Sequence, residues 1–482
     1  MYNQSISIHF VGIGGVGMAG IAEVLINLGY IVSGSDIKTS PLTDNLSSLG
    51  ARIFYGHQSS NIPMNTSVIV LSSAIKEDNP ELVEAKRRQL VIVPRAEMLA
   101  ELMRMKYGIA VAGSHGKTST TSMTAKILQD LGFDPTVIIG GRVLTQTTGA
   151  SVGKGQYLLA EADESDGSFC LLKPAIAVVT NIDSEHMSFY SSFGALEDAF
   201  LSFMNSVPFY GFIALCGDDP VLNKISTSLK RRVVTFGLNP KNEISATNIE
   251  INGWNSCFDL VIKGKNVARI SLPVPGHHMI SNSLGAIAVA LDLGAFPEEI
   301  VESLKSFPGV SRRTELLGQL NQGEKTPESI LLIDDYGHHP SEIKATLRAI
   351  KYGVVNNQKP GARLIVIFQP HRYSRTKELF TDFLVAFDDA DIVYVSDIYS
   401  AGEDPIDGIN SEILVSSMRH VSCSYIGELS NLSIKSLSYL EPGDVVVTMG
   451  AGSVSKFSHQ LLLESKNESL KSEHFATTHL HH

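Results

Sequence analysis

The sequence predicts an α/β protein of three domains, from three observations. Short apolar runs alternate with longer helical patterns over almost the whole chain, as parallel sheets with crossover helices require. The 482 residues exceed what one compact core holds. Two of the apolar runs end in glycine-rich turns that open helices, the construction of nucleotide-binding sheets. Hydrophobic residues at 43% and charged residues at 18% suit folded domains rather than a disordered chain.

The first unit begins with a strand at Ile6-Val11, a glycine turn, a helix around Met18-Leu28 and a strand at Tyr30-Ser35. A strand at Ser67-Leu71 and a charged helix around Pro80-Gln89 follow, and the unit closes near 105, giving a Rossmann-like domain over 1–105. A fresh strand at Tyr107-Ala112, a second glycine turn and a helix at Lys117-Leu131 open a central domain with a P-loop ATPase-type parallel sheet. Its further strands are expected at Tyr157-Ala160, Ala175-Thr180, Phe212-Cys216 and Arg232-Phe236, and a helix around Ile280-Leu293 closes it. The turn chemistry of Ser306-Phe307-Pro308-Gly309-Val310 marks the next boundary, so the central domain takes 106–311. A third, Rossmann-like α/β domain takes 312–482, with strands at Ile330-Ile333, Leu364-Phe368, Ile392-Val395 and Val445-Thr448. Asn321-Ser329 reads as a polar loop, and the polar tail from Lys466 reads as frayed.

The formal net charge of −11 argues against a broad nucleic-acid face, so any anionic substrate must be gripped by local groups. Four scattered cysteines form neither a CxxC pair nor a disulfide framework, which fits a reducing compartment. The N-terminal stretch lacks a basic and apolar leader, and no apolar run is long enough to span a bilayer, so a cytoplasmic protein with no membrane partner is expected.

The chemistry-bearing segments fall at strand ends. Gly12, Gly14, Gly15 and Gly17 follow the first strand, where backbone N–H groups at a helix N-terminus can approach a diphosphate, and Asp36 ends the next strand at ribose distance. Alone, this pattern suits a nicotinamide or flavin, another nucleotide, or a structural turn. Gly113-Ser114-His115-Gly116-Lys117-Thr118, with Ser119 behind it, is the more specific signal. Its amides would cradle phosphates, Lys117 would neutralise the γ-phosphoryl group, and the Thr118 hydroxyl would ligate Mg²⁺, although Val111 stands where the first Walker glycine would fall.

Acidic residues from Glu161 to Asp166 emerge where the next strand ends, and the following strand leads to Asn181 through His186. Hard oxygen ligation plus one imidazole at that edge fits a divalent cation, against the bland alternative of solvated loop acids. In the third domain Asp334 to Pro340 and Gln369 to Arg375 bring histidines and two arginines to strand ends, a plausible carboxylate clamp, whereas a histidine pair alone more often caps or packs.

These segments together resemble the Mur ligase family. The likeness runs in order over nearly the full chain: GIGGVGMAGIA and GSD, then GSHGKT, EADESD and SEHMSFY, then DDYGHHPSEI, PHRYSRT and MGAGS. It implies an ATP-dependent ligase of peptidoglycan synthesis, in the branch that joins L-alanine to UDP-N-acetylmuramate through an acyl phosphate. It also implies that Gly12 to Gly17, Asp36 and Ser165 serve the UDP-sugar, and that Lys117, Thr118 and Ser119 serve ATP. Glu161 and His186 would ligate magnesium (or manganese), Arg313 would approach the ATP phosphates, and Asp335 the ribose. Tyr336, His338, Arg372 and Arg375 would meet the alanine.

No lysine occurs between Lys173 and Lys224, as the alanine-adding branch allows, whereas other branches carry a carbamylated lysine there. In the adenine-binding stretch Met279 replaces the usual first asparagine and Asn282 remains. A sister branch that attaches a preformed murein tripeptide to the same sugar nucleotide is the nearest alternative, and a dinucleotide-binding dehydrogenase or sensor a more distant one. The oligomeric state stays open between monomer and dimer.

Overall fold

The computed structural model describes residues 6–72, 74–139, 150–320, 329–419, 422–437 and 439–478. In the N-terminal domain β1 (Ser7–Val11), β2 (Ile31–Asp36), β3 (Arg52–Tyr55), β4 (Thr66–Leu71) and β5 (Val91–Pro94) form a sheet in the order β3-β2-β1-β4-β5. All four pairings are parallel. Central β1 is buried throughout, while the edge strands β3 and β5 keep exposed ends. Four helices cover the faces: α1 (Val16–Asn27), α2 (Pro41–Ser48), α3 (Pro80–Arg87) and α4 (Arg95–Arg104). Helix α2 starts where Ser40 accepts the Thr43 N–H and Pro41 takes the first turn, so local sequence fixes its N-terminus.

Among the described residues the central sheet has ten strands. Parallel strands β6 (Tyr107–Ala112), β9 (Tyr157–Glu161), β10 (Ile176–Val179), β11 (Phe212–Cys216) and β12 (Arg232–Gly237) hold its middle, with the short β7 (Thr136–Ile138) and β8 (Ala150–Ser151) at one end. Its helices are α5 (Lys117–Asp130), α6 (Phe193–Asn205), α7 (Pro220–Ser226), α8 (His277–Asp292) and α9 (Pro297–Lys305). At the other end the sheet continues through β13 (Ile244–Asn252), β14 (Asn255–Ile262) and β15 (Lys265–Leu272), strands the sequence reading left unassigned. The β14–β15 turn, Lys263-Gly264, has positive φ at both residues (50° and 75°), the geometry of a type I′ hairpin.

The third sheet runs β16-β17-β21-β18-β19-β20, built from β16 (Glu315–Leu320), β17 (Ile330–Asp335), β18 (Leu364–Phe368), β19 (Ile392–Ser396), β20 (Cys423–Gly427) and β21 (Val445–Met449). Among the described residues of this sheet only β16 is antiparallel to its neighbour. Two apolar cores fill its faces, one around Ile333, Leu347, Phe368 and Phe383, the other around Leu332, Ile367, Val446 and Phe457. Helices α10 (Pro340–Ala349), α11 (Tyr373–Glu378), α12 (Phe380–Phe383), α13 (Ser411–Ser417) and α14 (Val454–Thr478) belong to this domain.

The expected polar loop at 321–328 lies outside the described residues. Where the sequence predicts a frayed tail from Lys466, α14 continues to Thr478, a stretch without Gly or Pro and containing Lys, Glu, Leu and Ala, all good helix formers. The N-terminal sheet and most of the central one fall in one compact unit, whereas segments 249–257 and 271–279, with parts of β13, β14 and β15, group with the third domain in a second.

Candidate functional site

In the N-terminal sheet the turn after β1 is fixed by β2. Gly12 and Ile13 both donate N–H bonds to the Ser35 carbonyl at 2.9 Å, and Gly14 N donates to Asp36 Oδ2 at 2.8 Å. Gly12 has a φ of 83°, and a Cβ on Gly14 would lie 2.8 Å from Asp36 Oδ2, so neither position accepts a side chain without movement. Asp36 thus already holds the loop with one oxygen. Gly15 caps α1, and Gly17 packs so closely against the Arg95 guanidinium that a Cβ would meet Nη1 at 2.8 Å. Arg95, which the sequence reading passed over, puts a positive charge beside this helix start.

The central site is assembled at the carboxyl ends of β6, β9 and β10. After β6 the chain turns through Gly113 (φ 131°) and Gly116 (φ 81°) into α5, and Asn181 secures the turn: its carbonyl accepts Ser114 N at 3.1 Å and its Oδ1 accepts His115 N at 2.8 Å. His115 Nε2 meets Asp183 Oδ2 at 2.9 Å. Asn282, from α8, lies against Gly116, where a Cβ would be 2.4 Å from its Oδ1. Met279 is buried at the start of the same helix.

Lys117 points back over the turn, donating to the carbonyls of Gly113 (2.6 Å) and Ser114 (3.1 Å) and to both oxygens of Glu164 (3.1 and 2.9 Å). Burial alone would lower its pKa, but Glu164 and Asp163 together raise it, so the ammonium is firmly charged. Thr118 and Ser119 are buried in the first turn of α5.

Glu161 ends β9 beside Val111 of β6. Glu164, Glu185 and His186 can each bring one donor atom within 4.8 Å of the others, and both carboxylates are buried. Two converging buried acids with one imidazole fit a hard divalent cation. His186 itself adopts a φ of 58° and stands 3.8 Å from carboxylate oxygens of both acids. The sequence reading took Glu164 and Glu185 only as members of acidic runs. Tyr190, distant in sequence but adjacent in space, donates its hydroxyl to the Glu164 carbonyl at 2.6 Å. Ser165 is half-buried next to Glu164.

In the third domain, Asp335 at the end of β17 is buried and accepts N–H bonds from Thr314 (2.6 Å) and Gly337 (2.8 Å). Burial outweighs these bonds and the nearby Arg313, pushing its pKa up to about 6. The guanidinium groups of Arg312 and Arg313 lie 4.8 and 4.9 Å from the centre of the Tyr336 ring. Arg313 also reaches Glu342 at 3.4 Å, and Arg312 donates to the Gly450 carbonyl of the MGAGS segment at 2.6 Å.

His338 packs edge-on to Tyr336, and its Nδ1 lies 3.1 Å from the Tyr336 carbonyl, which can only accept, so Nδ1 carries the proton. Burial lowers the His338 pKa to about 3 despite Glu342. His371 stacks on Tyr399 at 5.6 Å, sits 5.9 Å from His338, and accepts from Arg375 Nη1 at 3.2 Å. Arg372 is exposed and holds a φ of 70° at the N-cap of α11, where its N–H donates to the Tyr399 carbonyl at 2.8 Å. Tyr336, His338 and Arg375 are therefore brought together, joined by Arg312, His371 and Tyr399, which the sequence reading did not single out.

A phosphate turn crossed by a half-buried lysine, with metal-competent acids at the neighbouring strand ends, defines a nucleotide-binding α/β protein of the phosphate-loop kind. Residues 7–107 match the model of the Mur ligase family catalytic domain, 111–290 that of the Mur ligase middle domain and 312–452 that of the Mur ligase glutamate ligase domain. The chain belongs to the Mur ligase family. It is 50% identical to the UDP-N-acetylmuramate--L-alanine ligase of Geobacter sp. (strain M21), over 97% of this chain and 99% of that protein. It is 49% identical to the ligase of the same name from Geobacter sulfurreducens, over 94% and 96%. Among solved structures, UDP-N-acetylmuramate-alanine ligase from Thermotoga maritima superimposes with a TM-score of 0.79 at 28% identity, covering 96% of this chain and 100% of that one.

Proposed function

We propose that the chain is an ATP-dependent ligase that joins L-alanine to the lactyl carboxylate of UDP-N-acetylmuramate through an acyl phosphate. The observation that carries this reading is Lys117, held over the phosphate turn by Glu164 in a chain whose full length parallels alanine-adding relatives. The domains divide near 105 and 311: the first takes the UDP-sugar, the second ATP, the third alanine.

Gly12, Gly14, Gly15 and Gly17 present backbone amides to the uridine diphosphate, Asp36 and Ser165 border the sugar nucleotide, and Arg95 adds a charge. Gly113 to Ser119 cradle the ATP phosphates, Asn282 lines the same turn, and Lys117 neutralises charge developing as the γ-phosphoryl group passes to the lactyl carboxylate. Thr118, Glu161 and His186 would hold magnesium, or manganese, with Glu164 and Glu185 in reach of the same ion. Such an ion would supply charge neutralisation for the phosphates. Arg313 would serve the ATP phosphates, and Asp335, whose oxygens also accept the Thr314 and Gly337 amides, would serve the nucleotide ribose.

Arg375 and Arg372 receive the alanine carboxylate beside Tyr336. His338, with a pKa of about 3, is a poor proton acceptor. Its neutral Nε2 instead accepts a hydrogen bond from the alanine ammonium and orients it, and the ammonium proton passes to water before the amine attacks. All four cysteines are free thiols, which supports a reducing, cytoplasmic location. Among the described residues no helix is long and apolar enough to cross a membrane.

Phosphate release is the deciding assay. Lys117→Ala is expected to abolish release with ATP, UDP-N-acetylmuramate and alanine, while leaving UDP-sugar binding nearly intact by calorimetry. Near-normal turnover in that variant would defeat the reading. Alanine against a murein tripeptide in competition separates the two branches of the family.

A further inference from the structure

The N-terminal domain contains a buried polar relay that the proposed mechanism leaves unused. Glu81, the second residue of α3, is fully buried beneath the sheet. Its oxygens accept from Ser35 Oγ (2.6 Å), His9 Nε2 (3.2 Å), Asn61 Nδ2 (2.7 Å) and Gln58 N (3.2 Å). Burial works to raise its pKa, but these donors lower it on balance, so the group is a carboxylate and can only accept.

Proton counting then fixes the partners. The single Ser35 hydroxyl proton goes to Glu81, so Ser35 Oγ must accept from its other neighbour, His57 Nδ1, at 3.0 Å. Neutral His57 therefore carries its proton on Nδ1 and offers Nε2 as an acceptor. His9 differs, because it donates Nε2–H to Glu81 and accepts at Nδ1 from Ser33 (2.9 Å), leaving neither nitrogen over. Nε2 of His57 makes no hydrogen bond with the described residues, and the side chain is 14% exposed.

The position of His57 gives this acceptor a use. Tyr55 pairs in register with Asp36, and Gly56 N donates to the Asp36 carbonyl at 2.8 Å, so His57 stands at the carboxyl edge of the sheet beside Asp36. That edge also carries the Gly12 to Gly17 turn and the 71%-exposed apolar side chain of Ile37, a surface on which a base can rest.

We propose that His57 is a specificity-determining residue of the sugar-nucleotide site, accepting at Nε2 a hydrogen bond from the nucleoside half of the substrate, and that Ser35 and Glu81 are positioning residues that hold it in the acceptor tautomer. The donor is the uracil imide N–H or a ribose hydroxyl. The inference rests on the reading that the N-terminal domain takes the UDP-sugar.

The test is calorimetric titration of the full chain with UDP-N-acetylmuramate, its N3-methyl-uracil analogue and its 2′- and 3′-deoxyribose analogues. Wild type is expected to bind one of these analogues roughly tenfold more weakly than the parent, which identifies the donor. His57→Ala should bind the parent roughly tenfold more weakly and lose that discrimination, with KM for ATP and alanine unchanged. Nitrogen NMR should show His57 protonated at Nδ1 in wild type, with the Nδ1–H population reduced in Glu81→Gln, whose amide can turn the Ser35 hydroxyl round. A His57→Ala protein that keeps both affinity and discrimination overturns the proposal, as does an Nε2–H tautomer in wild type. Wild type that fails to bind the UDP-sugar at all overturns the functional reading, and this inference with it.

Discussion

His278, His338 and His371 are held neutral, with pKa values of about 4, 3 and 4. Burial is the first cause in all three, and arginines add to it: Arg313 beside His278, Arg375 beside His338 and His371. Their folded pKa values lie below the unfolded 6.5, so their contribution to stability is present above pH 6.5 and lost as pH falls toward 4 and 3. Asp335 works the other way: raised to about 6, it contributes fully below pH 3.8 and loses that contribution as pH rises through about 6. Three depressed histidines against one raised carboxylate make the third domain acid-sensitive, by on the order of a few kcal/mol between pH 6.5 and 4. The single tryptophan, Trp254, packs against this domain's core, so its fluorescence reports the transition. The urea midpoint should fall from pH 7 to pH 5, and His338→Gln should reduce the fall. A midpoint independent of pH would show these histidines to be exposed. At this scale the sequence made Lys117 legible, because a lysine following glycine at a helix start has little structural use, but not Glu164 or Glu185, since nothing in an acidic run says which member faces the lysine.

Helix α5 begins at Gly116, and two constraints meet there. Its φ of 81° is costly for any side chain, and a Cβ would stand 2.4 Å from Asn282 Oδ1. Gly116→Ala should therefore cost about 1–3 kcal/mol in stability and raise KM for ATP at least severalfold, by displacing the amides at the phosphate turn. Adding Asn282→Ala should relieve the steric share and leave the backbone share, a partial recovery that thermal melts can resolve. Full recovery would mean that φ is not the constraint. The parallel strands were readable because they are buried on both faces and so appear as apolar runs: IAVV in β10 and LIVIF in β18 are buried at every residue. The strands β13 to β15 escaped because long stretches of β13 and β15 are only half-buried or exposed, with Asn, Glu and Lys breaking the apolar signal.

Over the whole chain, the order of separated motifs identified the family from sequence, since each is a local pattern whose spacing survives without knowledge of contacts. The division into compact units did not show itself that way. Segments 249–257 and 271–279 carry parts of β13, β14 and β15 and the start of α8, within the central stretch of the sequence, yet group with the third domain, and only non-local contacts carry that information. One consequence concerns unfolding. A ligand that binds only the native state stabilises the unit that binds it, by roughly 2.7 kcal/mol at about a hundred times its Kd. The UDP-sugar is assigned to the unit made of the N-terminal sheet and most of the central one, whereas Trp254 belongs to the other. In saturating UDP-N-acetylmuramate without ATP or alanine, denaturation followed by circular dichroism should gain a later phase while the Trp254 transition stays near its ligand-free midpoint. If both signals shift together by the full amount, the two units unfold as one cooperative body and the division between them has no energetic meaning.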